Sequence, residues 1–214
     1  MIAAVFADAH GHAEALDAVL AAADGADELW SLGDMVGTGP DPEHVVARTR
    51  AECRVALLGN HDYLALRDTP ANPSIELARE RLDEDAVAWM RSRKPASRRA
   101  DVQMWHGGPH NAVHEFVGPR NAAACLDRQR EQLGLVGHTH VPAAFHESGG
   151  KDRLLEGEPL VLGAGKWLLN PGPALAGCWL ELDLGRRTAT WRIASFDPAP
   201  ARERARALGL ESWA

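Results

Sequence analysis

The sequence predicts an α/β fold with parallel crossovers, and three observations carry that expectation. Short apolar runs of strand length alternate with segments of helical periodicity. The turns joining them are rich in Gly, Asp, Asn and His. The acidic and imidazole side chains fall just past the ends of the apolar runs, where parallel sheets host their chemistry.

The elements follow in order. Ile2–Ala7 reads as a short buried strand. From His12 to Ala23, apolar residues at Leu16, Val19, Leu20 and Ala23 give helical spacing. Glu28–Leu32 is a strand ending on Gly33-Asp34. Asp41-Pro42 supplies an N-cap and a first helical residue for a helix to about Cys53. Arg54–Leu58 is a third strand, ending at Gly59-Asn60-His61-Asp62. Thr69–Pro73 is a loop, and Ser74 to about Arg93 holds one long helix or two short ones. Asp101–Trp105 is a strand ending on His106, Asn121–Gln132 a helix, and Leu133–Val136 a strand stopping at Gly137-His138-Thr139-His140. The last third changes character: Val161–Leu162, Lys166–Leu169, Cys178–Leu184 and Thr188–Ile193 read as a meander or hairpin set, closed by an arginine-rich helix at Ala201–Leu208.

Composition narrows the function classes. A chain of 214 residues with 45% hydrophobic and 25% charged residues suits one sizeable core, so a single domain over 1–214 is expected. The formal charge of −7 disfavours binding of duplex nucleic acid, which needs a basic face. The densest basic stretches, Arg91–Lys94 with Arg98–Arg99 and Arg202–Arg206, are short and read as solvated helix ends. Cys53, Cys125 and Cys178 form no CxxC pair, which points to reduced thiols. No apolar stretch reaches membrane-spanning length, and Ile2–Ala7 is too short for a secretory core. A cytoplasmic location is expected, with no membrane partner and no indication of a homo-oligomer.

Five blocks stand apart: Asp8-Ala9-His10, Gly33-Asp34, Gly59-Asn60-His61-Asp62, His106 and Gly137-His138-Thr139-His140. A GNHD string arises by chance at well under roughly one position in 10^5 at ordinary composition, and GHTH is comparably rare. Their imidazole nitrogens and carboxylate or amide oxygens suit Mn, Fe, Zn, Co or Ni, and none of the blocks contains a thiolate. In extended backbone Asp8 and His10 point the same way, as do His138 and His140, so each pair can reach one ion. Glycines before Asp34, Asn60 and His138 allow sharp turns where strands end.

These blocks resemble the calcineurin-like metallophosphoesterase superfamily, whose pattern is DxH, GD, GNH[DE], H, GHxH. Gly33–Pro42, GDMVGTGPDP, and Asn170-Pro171-Gly172 resemble its small bacterial and archaeal branch. The resemblance implies a two-sheet sandwich flanked by helices in a four-layer arrangement. It implies that Asp8, His10, Asp34 and His140 hold one divalent ion. Asp34 would bridge to a second ion, held also by Asn60, His106 and His138. Manganese is the first expectation, with iron, zinc, nickel or cobalt as alternatives. His61 would protonate the leaving oxygen, with Asp62 behind it fixing its tautomer. Two ions about 3.5–4 Å apart share a water and lower its pKa enough to supply a bridging hydroxide as nucleophile.

The expected activity is therefore hydrolysis of a small phosphorylated molecule, such as a cyclic nucleotide or another diester. Protein serine/threonine phosphatases of the family carry GDxVDRG and GNHE, and their phosphate-gripping arginine is missing here. A metal-binding scaffold without catalysis is the other alternative, disfavoured because every motif position is filled. His12 stands where this branch usually has Asn, and reads as a supporting or helix-start residue. Gly108, Pro173 and Thr38 also depart from the branch pattern, and His110 and His114 read as exposed loop residues.

Overall fold

The computed structural model describes residues 1–149, 154 and 156–210. Its first sheet begins with β1 (Ile2–Phe6), in which every residue after Ile2 is buried. Such a strand must be covered on both faces. Ala3 and Val5 face a second sheet, while Ala4 and Phe6 face helices. β2 (Glu28–Ser31) and β3 (Cys53–Ala56) pair in parallel beside β1. The helices α1 (Ala13–Ala22) and α2 (Pro42–Glu52) make the crossovers.

The middle segment resolves into two helices, α4 (Pro73–Arg81) and α5 (Glu84–Arg91), after the short α3 (Asn60–Ala65). The break is local chemistry: the Asp83 carboxylate accepts from the Ala86 N–H and starts α5 afresh. The strand β4 (Ala96–Arg99) then pairs antiparallel with β5 (Val102–Trp105). The sequence reading gave no strand there. Arg98–Arg99, expected at a solvated helix end, instead lies on β4, where Arg99 pairs with Glu28 of the first sheet.

Next come α6 (Ala122–Arg128), β6 (Leu133–Leu135) and β7 (Ala143–His146), the last another strand not foreseen. The helix α6 is shorter than expected because Lys166 Nζ donates to the carbonyls of Leu126 and Gln129 at its C-terminus. Gln129 turns away and its amide donates to the carbonyls of Glu131 and Trp167.

The late strands are β8 (Pro159–Val161), β9 (Trp167–Asn170), β10 (Cys178–Asp183) and β11 (Thr188–Ile193). They do not form one meander. In the first sheet, order β3-β2-β1-β10-β11-β8, only β10 and β11 make a simple hairpin. β9 crosses to the second sheet, order β4-β5-β6-β9-β7, and runs parallel to β6.

The architecture is four-layered: helices, sheet, sheet, helix. The inter-sheet core holds Trp30, Leu32, Met104, Leu135, Leu169, Leu180 and Leu182. The outer face of the first sheet packs on α1, α2, α4 and α5. That of the second packs on Cys125 and Leu126 of α6. The closing helix α7 (Ala199–Ala207) sends the Arg204 guanidinium to both Asp41 and Glu14. Asp41 is thus occupied by Arg204 and makes no side-chain cap to α2.

One hydrogen bond joins the sheets through the core. Trp191 on β11 donates its indole N–H to the Asn170 carbonyl on β9 at 2.8 Å. Trp191→Phe removes that bond and part of the ring volume from the interior. The expected cost is about 1–3 kcal/mol of unfolding free energy. An unchanged denaturation midpoint would show that the tie contributes nothing.

Candidate metal centre

The parallel strands of both sheets end at one edge of the sandwich, and their following loops meet there. Asp8 and His10 follow β1, Asp34 follows β2, and Asn60–Asp62 open α3 after β3. His106 follows β5, and His138 and His140 follow β6. The loops are laced together by backbone bonds: Asp8 N–H donates to Gly33, His10 N–H to Asp34, Gly11 N–H to Met35 and Gly137 N–H to His106.

The backbone is strained at five of these positions. Asp8, His10, Asp34, His138 and His140 all have φ between 50° and 64°. Non-glycine residues rarely enter the left-handed region, and clusters of them accompany functional sites. The preceding glycines serve two purposes. Gly33 makes the expected sharp turn, with φ +100°. Gly59 and Gly137 are needed for close approach instead: a Cβ on Gly59 would lie 2.0 Å from Asp34 Oδ1, and one on Gly137 2.9 Å from the Ala7 methyl.

Two histidines are locked in one tautomer. His10 Nδ1–H donates to the Val36 carbonyl at 3.2 Å, and His106 Nδ1–H to the Leu32 carbonyl at 3.0 Å. Each therefore presents a bare Nε2 to the site. His10 Nε2 lies 3.0 Å from His140 Nε2, and His106 Nε2 lies 3.1 Å from Asn60 Oδ1. Asp34 stands between. Its Oδ1 accepts from the His61 N–H at 2.9 Å. Its Oδ2 is 3.4 Å from His106 Nε2 and 3.7 Å from His10 Nε2. Asp8 accepts from the His138 N–H and lies 3.8 Å from His140 Nε2.

Three groups of ligand atoms result: Asp8, His10 and His140; Asp34, His106 and His138; and His10, Asp34 and His61. Within each, the atoms lie within 4.8 Å of one another. The sequence reading kept His61 apart from the ligands, whereas its ring is close enough to join them. Asn60 enters the second group through its 3.1 Å approach to His106.

The charges fit divalent cations. Asp8 and Asp34 are 0% and 1% exposed. Among the described residues their only basic neighbours are histidines, with no lysine or arginine in salt-bridge range. Burial raises both carboxyl pKa values well above the usual range, and for Asp34 the charges of Asp62 and Asp8 add to it. Burial lowers the histidines, bringing His106 down to about 3 and, with His114, His138 to about 4. His10 and His140 are also held below their ordinary value by burial. Neutral imidazoles are the metal-binding form. The buried His138 Nε2 has no hydrogen-bond partner. An orphaned imidazole nitrogen beside carboxylates without lysine or arginine partners is a donor set that accepts cations.

Asp62 requires a correction. It was expected to hydrogen-bond His61, but its carboxylate accepts from the backbone N–H groups of Met35, Val36 and Gly59. These donors pull its pKa down, but burial outweighs them and pushes it up to about 6. Asp62 thus pins the loop after β2 to that after β3, while His61 Nδ1 is buried without a partner.

The remaining histidines lie outside these groups. His12 occupies the N-cap position of α1, its Nε2 3.2 Å from the Thr38 hydroxyl. His110 faces Glu115, and His114 is exposed. Two contributors were missed. Asn170 donates to the Gly137 carbonyl and the Thr139 hydroxyl, holding the loop that carries His138 and His140. The Asn-Pro-Gly string was the visible signal for it. Phe116, with its ring against His138, carried no sequence signal.

Comparison with known proteins identifies the family and the fold. Residues 1–179 match the model of the calcineurin-like phosphoesterase superfamily domain. The chain is 28% identical over 194 residues to an uncharacterised protein of Methanocaldococcus jannaschii, covering 79% of this chain and 74% of that one. A metallophosphoesterase from Sphaerobacter thermophilus superposes with TM-score 0.90 at 26% identity, covering 98% of this chain and 95% of that one. A hypothetical protein of Pyrococcus horikoshii shares the fold with TM-score 0.78 at 15% identity, covering 98% and 94%. The chain belongs to the calcineurin-like phosphoesterase superfamily.

Proposed function

We propose that this protein is a dinuclear metal-dependent hydrolase of small phosphorylated molecules, with phosphodiesters such as cyclic nucleotides as its first substrate class. The observation that carries the reading is Asp34, a buried carboxylate whose Oδ2 faces His10 on one side and His106 on the other. In this reading Asp8, His10, Asp34 and His140 hold one ion, and Asp34, Asn60, His106 and His138 the other. Bound there, two divalent ions supply Lewis-acid charge and lower the pKa of water. Manganese is the first candidate for a nitrogen and oxygen donor set without thiolate.

The protein's own residues do the rest. The Val36 and Leu32 carbonyls fix the tautomers of His10 and His106 with Nε2 toward the site, and burial keeps both rings neutral, so neither competes as a cation with the ions. His61, with Nδ1 unpaired, is the proton donor to the departing oxygen. Burial, then His140, hold its pKa below the ordinary value, so the protonated ring gives up its proton more readily. An anionic phosphate beside the ring favours that protonated form. The preference for diesters is supported by the absence of arginine from Gly33–Pro42. A cytoplasmic setting is supported by three free thiols, at Cys53, Cys125 and Cys178.

A panel of phosphomonoesters, diesters, cyclic nucleotides and pyrophosphates tests the reading. Chelation should abolish activity, and manganese or a neighbouring transition metal should restore it. Full activity after stripping would refute metal dependence. Bound metal without turnover of any ester would favour a scaffold.

Asp34→Asn should be more damaging than Asp8→Asn, because a shared carboxylate serves both ions. Metal analysis of the Asp34 variant should give one ion or none. Two tightly held ions would contradict the sharing.

His61→Ala should retain both ions. General acid catalysis contributes about 10²–10⁴-fold. The loss should approach that range on a nucleoside diester, whose leaving alkoxide needs a proton. It should be much smaller on a p-nitrophenyl diester. Equal losses with intact metal content would assign His61 to stabilising phosphoryl charge, and lost metal would make it a ligand.

A further inference from the structure

We infer that Phe116 is a specificity-determining residue, a stacking platform for the planar base of a nucleotide-type phosphate ester bound beside His138. The inference rests on the phosphoesterase reading above and names the substrate feature that the site recognises. The Phe116 ring lies 4.1 Å from the His138 ring, centroid to centroid, and is tilted 40° to it. It is nevertheless 65% exposed. One side of the ring therefore abuts a candidate metal ligand, and much of the remainder meets water.

The loop that presents it is tightly ordered. Glu115, next in the chain, accepts through Oε2 from the backbone N–H groups of His110 and Asn111. Its Oε1 accepts from His110 Nδ1 and from the Cys125 thiol on α6. His110, Glu115 and Cys125 also have metal-ligand spacing. Their polar atoms are already engaged with one another, however, so the cluster serves to anchor the loop. Gly108 allows the anchor, since a Cβ there would lie 2.4 Å from Glu115 Oε2. Gly107 N–H donates to the Ala112 carbonyl, and the Asn111 side chain accepts from the Val113 and His114 N–H groups.

An apolar ring fixed in water beside an ion site is preorganised for stacking. A ligand that covers it gains contact without the cost of ordering the loop. Aromatic side chains take any base through its π-face, so the platform selects nucleotides over aliphatic esters without selecting among bases.

Direct binding of AMP and of ribose 5-phosphate to the manganese-loaded protein, by calorimetry, tests this without turnover. The two share the phosphate and the sugar and differ in the base. The expected advantage of AMP is about 5- to 150-fold, the range of one base–aromatic stack. Phe116→Ala and Phe116→Leu should bring the ratio close to one, and Phe116→Trp should preserve it. Because each variant supplies its own ratio, a change in metal affinity common to both ligands cancels. Equal binding of the two ligands by the wild-type protein, or an AMP advantage that survives in Phe116→Leu, overturns the platform. If inorganic phosphate binds but AMP gains nothing, the platform alone fails. If inorganic phosphate does not bind either, the phosphoesterase reading fails with it.

Discussion

Buried negative charge without a lysine or arginine partner is the constraint on which this site depends. Asp8 and Asp34 lie in the interior, and their basic neighbours are imidazoles that burial keeps neutral. Ionised carboxylates in such a place are costly unless cations join them. Burial alone would drive both to hold protons. Divalent ions held by these carboxylates would reverse that preference and release the protons, and metal affinity at such a site falls as pH falls.

The fold meets this constraint by bringing both sheets to one edge. Loops after β1, β2 and β3 supply donors from one side, and loops after β5 and β6 from the other. The loops after β2, β3 and β6 are held from behind by polar side chains. Asp62 pins the loops after β2 and β3 through three backbone N–H groups. Asn170 holds the loop after β6. These bonds hold the strained backbone around Asp34, His138 and His140, and backbone bonds to Gly33 and Asp34 hold it at Asp8 and His10. The candidate ligand positions are thus fixed by the protein's own hydrogen bonds.

The early half of the fold was legible because β1, β2 and β3 are short runs that end on Asp-, Gly-, Asn- or His-containing motifs, a pattern set by local chemistry. The two-sheet, four-layer arrangement came from the motif resemblance, not from periodicity. The sequence hid what depends on distant pairing. β9 reads as a hairpin neighbour of β10, yet Leu169 joins β6 in the other sheet and Leu168 faces α6. β4 and β7 are four-residue strands whose neighbours decide their state. At the centre, residue types were readable, because imidazole and carboxylate at i, i+2 after a strand have few other uses. Side-chain direction was not: GNHD does not reveal that Asp62 turns away from His61 to backbone N–H groups.

In the proposed reading, Asp34 would serve two ions at once. Electron paramagnetic resonance during manganese titration of the metal-stripped wild-type protein tests it most directly. Ions joined by a shared carboxylate and a water should be magnetically coupled. The signal of isolated manganese should give way to that of an exchange-coupled pair as the second ion binds. Binding that saturates at one ion, or a second ion that only adds more isolated signal, would contradict it.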